Sequence, residues 1–162
     1  LTMGTYYVVV EAPFGAPYTV NVTATTPPVT PVAVSGNETC AGAYVIPPTG
    51  GVFTGDTSTA IHDYDISMCT GMSKDVAYSL HLDATKRVTI HTDGSSFEPV
   101  VALYRDSCGT VIYCSNDFGS GSAHDAALTE DLPAGDWFIV LSGFSTFSTG
   151  SYTLDVSVTD PS

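Results

Sequence analysis

An internal repeat constrains this chain more than any other feature. Leu1-Thr2-Met3-Gly4-Thr5-Tyr6-Tyr7-Val8-Val9-Val10 matches Leu132-Pro133-Ala134-Gly135-Asp136-Trp137-Phe138-Ile139-Val140-Leu141, class by class, around a shared glycine. Tyr18-Thr19-Val20-Asn21-Val22-Thr23 then matches Tyr152-Thr153-Leu154-Asp155-Val156-Ser157, and both copies run into proline, at Pro27 and Pro161. The offset grows from 131 to 134 because the second copy has the longer loop. Residues 1–28 therefore read as the last β-hairpin of a preceding repeat, and residues 35–162 as one complete domain. Between them Thr25-Thr26-Pro27-Pro28-Val29-Thr30-Pro31 favours extended polyproline geometry, a semi-rigid linker running to about residue 34. A lone hairpin is marginally stable in water, so the first copy needs a partner. That partner is the rest of its own domain, or another chain that receives it as added strands.

Val, Ile, Thr, Tyr and Phe dominate the apolar runs, which suits pleated sheet. The runs predict strands at 5–10, 18–24, 76–82, 87–91, 100–104, 111–114, 137–141 and 152–158, with Gly, Pro, Asp and Ser between them. Residues 124–132 fit either one turn of helix or a strand with Ala126, Leu128 and Leu132 on one face, and their strand neighbours favour the strand. Short strands at regular spacing predict an all-β fold, an antiparallel, jelly-roll-like sandwich.

The surface charge narrows the partners. Four Lys and Arg stand against 17 Asp and Glu, a formal net charge of −13. Nucleic acid and anionic membranes are excluded, since both demand neutralisation by Lys or Arg. No run of about 18 apolar residues exists to insert in a bilayer. Cys40, Cys69, Cys108 and Cys114 show neither CxxC nor zinc spacing. They read as two disulfides formed in an oxidising compartment. Three pairings are possible; Cys40–Cys69 and Cys108–Cys114 are favoured because each brackets a turn-rich segment.

From Asn37 to Val158 an ordered set of short motifs runs along the chain. It comprises Glu38-Thr39-Cys40-Ala41, Gly55-Asp56-Thr57, Asp63-Tyr64-Asp65, Asp75-Val76-Ala77-Tyr78-Ser79-Leu80, Ser95-Ser96-Phe97-Glu98-Pro99-Val100-Val101-Ala102-Leu103-Tyr104, Cys114-Ser115-Asn116-Asp117 and Gly150-Ser151-Tyr152-Thr153-Leu154. In this order they resemble the bacterial pre-peptidase C-terminal domain, in its cysteine-bearing, secreted variety. The resemblance implies a β-sandwich, export from a bacterium and an accessory role beside other domains, without catalysis. Glu98 and Phe118 depart from the family, whose members often carry Asp at both positions.

Calcium is the candidate ion, because it takes six to eight oxygens from loop carboxylates, amides and carbonyls. Asp56, Asp63 and Asp65 form one possible donor set; Glu98, Asn116 and Asp117 form another. The competing role for such residues is to cap their own turns. His62, His81, His91 and His124 lack metal spacing, though His81 and His91 could share a face. Gly119-Ser120-Gly121-Ser122-Ala123-His124 holds a serine and a histidine but lacks the strand–elbow–helix setting of a hydrolase nucleophile. Phe144 and Phe147, in a Ser/Thr/Gly loop with no evident core position, mark a contact surface.

Together these features predict a non-catalytic structural or interaction module of an extracellular tandem-repeat protein: a surface filament, stalk or adhesin. Its partners would be further copies of itself or neighbouring domains. The alternative is an accessory domain of a secreted hydrolase that binds carbohydrate or matrix protein.

Overall fold

β-Branched and aromatic residues at alternate positions build ten strands among the residues that the computed structural model describes, 7–11, 17, 19–21, 29–116 and 124–161. They are β1 (Val32–Ala33), β2 (Tyr44–Val45), β3 (Gly50–Asp56), β4 (Val76–Leu82), β5 (Lys86–His91), β6 (Pro99–Arg105), β7 (Val111–Asn116), β8 (Leu128–Leu132), β9 (Gly135–Gly143) and β10 (Ser151–Thr159). One five-stranded sheet has the order β1-β3-β10-β5-β8; the other has the order β2-β4-β9-β6-β7. The chain changes sheet at most connections, giving jelly-roll-like winding, with β6–β7 paired as a hairpin. The expected all-β, jelly-roll-like sandwich is present, and its long strands pair antiparallel. The two short strands β1 and β2 run parallel to β3 and β4, so both sheets are mixed. Residues 32–33, read as linker, supply β1.

The first sheet shows simple alternation. Tyr152, Leu154 and Val156 of β10 point inward beside Phe53 and Ile90, and all five are buried. Thr153, Asp155 and Ser157 point outward beside Thr54, His91 and Thr89, which leaves that face polar. Between the sheets, Tyr78 and Tyr152 share a hydrogen bond of 2.7 Å between their hydroxyls.

The second sheet behaves differently, because both of its faces are covered. Every residue from Pro99 to Tyr104 of β6 is buried. Val101 and Leu103 join the core between the sheets, with Tyr78, Leu80, Trp137, Ile139 and Leu141. Val100, Ala102 and Tyr104 point the other way, into a second cluster with Ala77, Val140 and Ile66. The cover over that outer face comes from the segment between β3 and β4 and from a 3-10 turn at Cys40–Gly42.

Two disulfides staple this cover, and their pairing differs from the expected one. The bonds are Cys40–Cys108 and Cys69–Cys114. The first ties the 3-10 turn to the β6–β7 turn; the second ties the turn at Ser67–Cys69 to β7. Local bracketing misleads here because β7 is extended. Three strand steps from Val111 to Cys114 span about 10 Å, and a disulfide needs Cα atoms within about 7 Å. Cys114 instead sits opposite Ala102, on the face that the cover shields. Two disulfides place the protein in an oxidising compartment, secreted or in the cell envelope.

The described residues of the expected first copy, Tyr7–Glu11, Pro17 and 19–21, lie outside strands and are exposed. The remainder of that expected hairpin falls outside the described residues.

Each disulfide closes a long loop, with sequence separations of 68 and 45. Replacing Cys69 and Cys114 by Ser should therefore cost about 2–4 kcal/mol in urea unfolding. Hydrogen exchange should show amides of 61–72 losing protection while β4, β6 and β9 keep theirs. An unchanged unfolding midpoint would mean that packing alone holds the cover.

Candidate functional site

Strand register decides which connections meet. Asp56 pairs with Ser151, Val76 with Leu141, Ile90 with Leu128, and Val100 with Asn116 and Ser142. The end of β3, the starts of β4, β6, β8 and β10, and the ends of β5, β7 and β9 therefore share one end of the sandwich. Five long connections belong there: 34–43, 57–75, 92–98, 117–127 (described from 124) and 144–150. The connections at the opposite end are short: 46–49, 83–85, 106–110 and 133–134. Long loops on a rigid sandwich are where binding surfaces are built.

Charge divides along the same axis. The long-loop end carries Asp56, Asp63, Asp65, Asp75, Asp93, Glu98 and Asp125. Its one cation among the described residues is Lys74, whose ammonium donates to the Ser58 carbonyl. Lys86, Arg87 and Arg105 lie at the short-loop end, in ion pairs with Asp160, Asp131 and Asp106.

Asp75 anchors the cover. Its carboxylate is fully buried and accepts hydrogen bonds from the backbone N–H groups of Tyr64 (3.1 Å) and Asp63 (3.1 Å). His62 Nδ1 lies 3.3 Å from it and 2.7 Å from the Ser73 carbonyl. Burial pushes the Asp75 carboxyl up to about 6, against the backbone N–H groups and His62, which pull it down. This bonding fixes residues 62–64, so that the Tyr64 hydroxyl can accept from the Cys40 backbone N–H at 2.7 Å. Sequence reading placed Asp75 in a motif without recognising its role, since nothing local signals that a carboxylate will be buried.

The loop after β9 is an ordered turn. Ser148 N donates to the Ser145 carbonyl (2.8 Å), Thr149 N to the Phe147 carbonyl (3.0 Å), and the Ser145 and Ser148 hydroxyls meet at 2.9 Å. Gly143 permits this return: a Cβ there would stand 1.9 Å from the Ser148 carbonyl oxygen. The expected pair of contact aromatics separates. Phe144 packs against the outer core of the second sheet, with its N–H on the Glu98 carbonyl. Phe147 stands at the turn's tip, 91% exposed. Met72, bonded through its N–H to the Gly143 carbonyl, and Met68 on the cover are also exposed, and the sequence reading passed over both.

The described residues among the expected calcium donors belong to this end but are spread over several loops. The Ser58 side chain, and then its backbone N–H donating at 2.6 Å in an Asx turn, hold the Asp56 carboxyl below its ordinary value. Asp63 and Asp65 lie on the cover and Glu98 just before β6. Asn116 closes β7 and donates to the Cys69 carbonyl at 3.1 Å; Asp117 lies outside the described residues. Among the described residues no three His, Cys, Asp or Glu side chains are grouped closely enough to hold a metal ion. His81 and His91 stand in different sheets and share no face. His91 pairs with Asp125 at 3.0 Å, and Asp125 also takes the Thr92 N–H at 2.8 Å, tying two of the long loops together. Ser120 and Ser122 lie outside the described residues.

A polar notch of about 60 Å³, lined by Ser35, Asn37, Glu38, Asp56 and Tyr152 among others, opens at this end. It admits a water or two rather than a substrate. Chemically, the long-loop end offers a rigid apolar tip on an acidic rim, a surface suited to contact.

No protein-family model and no curated protein matches the chain. Among solved structures it is similar to the pre-peptidase C-terminal domain of a collagenase from Bacillus anthracis, at 9% identity over 82% of this chain and all of that one, with a TM-score of 0.49. It is also similar to PliG, a periplasmic inhibitor of g-type lysozyme from Aeromonas hydrophila, at 18% identity over 80% of this chain and 96% of that one, with a TM-score of 0.45. Likenesses this distant transfer neither family membership nor activity to this chain.

The raised Asp75 carboxyl sets a pH dependence. Between its ordinary 3.8 and about 6 the folded chain binds a proton that the unfolded chain releases, so this site's contribution to stability rises as pH falls through 6 and levels off below 3.8. The full effect is on the order of 3 kcal/mol. Asp75→Asn removes the titration. Wild type should gain stability relative to that variant between about pH 7.5 and pH 4.5 in urea unfolding. Parallel profiles would show that water reaches the carboxylate.

Proposed function

We propose that this chain is a non-catalytic contact module of an extracellular bacterial protein built from repeated sandwiches, such as a filament, stalk or adhesin. The surface it offers partners is the long-loop end. The observation that carries this reading is the fate of the repeat. In the second copy Ile139, Val140, Leu141 and Leu154 are fully buried. Their counterparts Val8, Val9, Val10 and Val20 are 64%, 81%, 39% and 44% exposed. A segment with the same pattern of strand formers, left in solvent here, has its burial elsewhere.

The arrangement of the second copy refines what that segment would form. β9 and β10 are not a hairpin: β9 is the central strand of one sheet and β10 the central strand of the other. The facing pattern carries over to both. Trp137, Ile139 and Leu141 face the core, and their counterparts are Tyr6, Val8 and Val10. Outward-facing Thr153, Asp155 and Ser157 match the polar Thr19, Asn21 and Thr23. Residues 1–24 thus have the sequence of two central strands, one for each sheet of another sandwich. The ordered motifs that resemble pre-peptidase C-terminal domains support an exported, accessory setting.

A second reading, an accessory domain of a secreted hydrolase that binds carbohydrate or matrix protein, is favoured by Phe147 alone, a 91% exposed aromatic on a rigid turn. Calcium enters either reading as a ligand of the acidic loops. It should raise the melting temperature relative to EDTA, and an unchanged melting curve would remove it.

Intact mass and electron microscopy of the native material test the first reading. A chain of several sandwiches supports it; a native monomer of 16.9 kDa overturns it. Glycan and collagen pull-downs with Phe147→Ser separate the second. Binding lost at unchanged melting temperature would favour the accessory domain.

A further inference from the structure

We infer that successive sandwiches join at their short-loop ends, so that every long-loop end projects away from the string as a free contact site. This rests on the tandem-repeat reading and adds its geometry.

The chain leaves the sandwich at the short-loop end. Thr159, the last residue of β10, pairs with Arg87, and Lys86 holds Asp160 by an ion pair. The chain also arrives there. Val29 lines a groove of about 340 Å³ with Thr49, Gly50, Gly51, Val52, Asp155, Val156 and Ser157, the short-loop half of β3 and β10. From there β1 runs parallel to β3, Val32 beside Phe53 and Ala33 beside Thr54, towards the long-loop end. β1 and β10 flank β3 in the sheet order, two strand spacings or about 10 Å apart.

The link between neighbours is short. The counterpart of Thr159 is Thr25, and residues 26–31 separate it from β1. Six residues of a Pro-rich spacer reach roughly 20 Å. The nine residues of β10 alone extend about 30 Å. A linker shorter than the sandwich, fixed to the same end of both neighbours, keeps those two ends together and cannot carry a long-loop end into the junction.

Electrostatics favour the same arrangement. Apposed short-loop ends repel less, since Lys86, Arg87 and Arg105 there offset part of the charge of Asp83, Asp106, Asp131, Asp136 and Asp160. Apposed long-loop ends would bring two acidic rims within a Debye length of about 8 Å. The functional consequence is multivalency: one string presents many copies of the Phe147 tip and its acidic rim, and avidity grows without new contacts.

The test is a protein carrying residues 29–162 twice in succession, which recreates the linker by joining Thr159-Asp160-Pro161-Ser162 to Val29-Thr30-Pro31. All ten strands and both disulfides lie within 32–159, so each half is a complete sandwich. The single 29–162 protein is measured first. If it melts well below the full chain, the repeat reading fails and the array geometry with it. With that control passed, dyes are attached at position 147, on the long-loop tip, or at position 84, in the exposed β4–β5 turn, one on each half. The 84-to-84 distance should be shorter than both 147-to-84 distances by roughly one strand length, about 25 Å. A 147-to-84 distance shorter than the 84-to-84 distance means head-to-tail stacking and overturns this geometry while leaving the repeat reading intact.

Discussion

The outer face of the β2-β4-β9-β6-β7 sheet has to be kept dry, and most of the structure follows from that. Ala77, Val100, Ala102, Tyr104 and Val140 point away from the main core and would meet water if the sheet stood uncovered. An ordinary sandwich leaves its outer faces polar, as the other sheet does here. This one buries a second apolar layer, and the cover has almost no regular structure with which to hold itself in place. It is held by three kinds of tie. Ile66 supplies the apolar plug, the two disulfides fix its edges, and Asp75 collects the backbone N–H groups at its turn.

That arrangement also shapes the long-loop end. The segment that covers the sheet is the longest connection at the long-loop end, so the same residues that seal the second core shape one side of the exposed rim. Met68 and Met72 face solvent from a segment whose Ile66 is fully buried. Asp75, three residues beyond Met72, fixes the loop to the sheet at the expense of a desolvated carboxylate. Buried charges of this kind destabilise unless hydrogen-bonded, and here the backbone N–H groups of Asp63 and Tyr64, with His62 Nδ1, supply the bonds. Stability at the cover and precision at the rim therefore draw on the same interactions.

Much of the sandwich is legible in the sequence. The runs around Val76, Val88, Val101, Val111, Ile139 and Leu154 all became strands, because alternation of β-branched and aromatic residues is local and survives any choice of partner. Residues 128–132 resolve as strand β8, with Ala126 and Leu132 buried. β3 was missed since Gly-Gly-Val-Phe-Thr-Gly-Asp looks like turn material. Its glycines answer to neighbours far along the chain: at Gly55 a Cβ would meet the Tyr152 hydroxyl at 2.4 Å. Of the candidate site, Phe147 and the acidic loops were recognisable from composition. Phe144 was not separable from Phe147, since both share the same Ser/Thr/Gly surroundings and only packing against the second core distinguishes them.

The sequence by itself determined that the chain is β and that its surface is acidic; each of these is a property of neighbouring residues or of a count. Tertiary structure alone decided which cysteines meet, which sheet each strand joins, and that β9 and β10 are two central strands rather than a hairpin. Those outcomes depend on contacts between residues tens of positions apart. They are settled by which apolar faces must be covered together, and no local pattern encodes that.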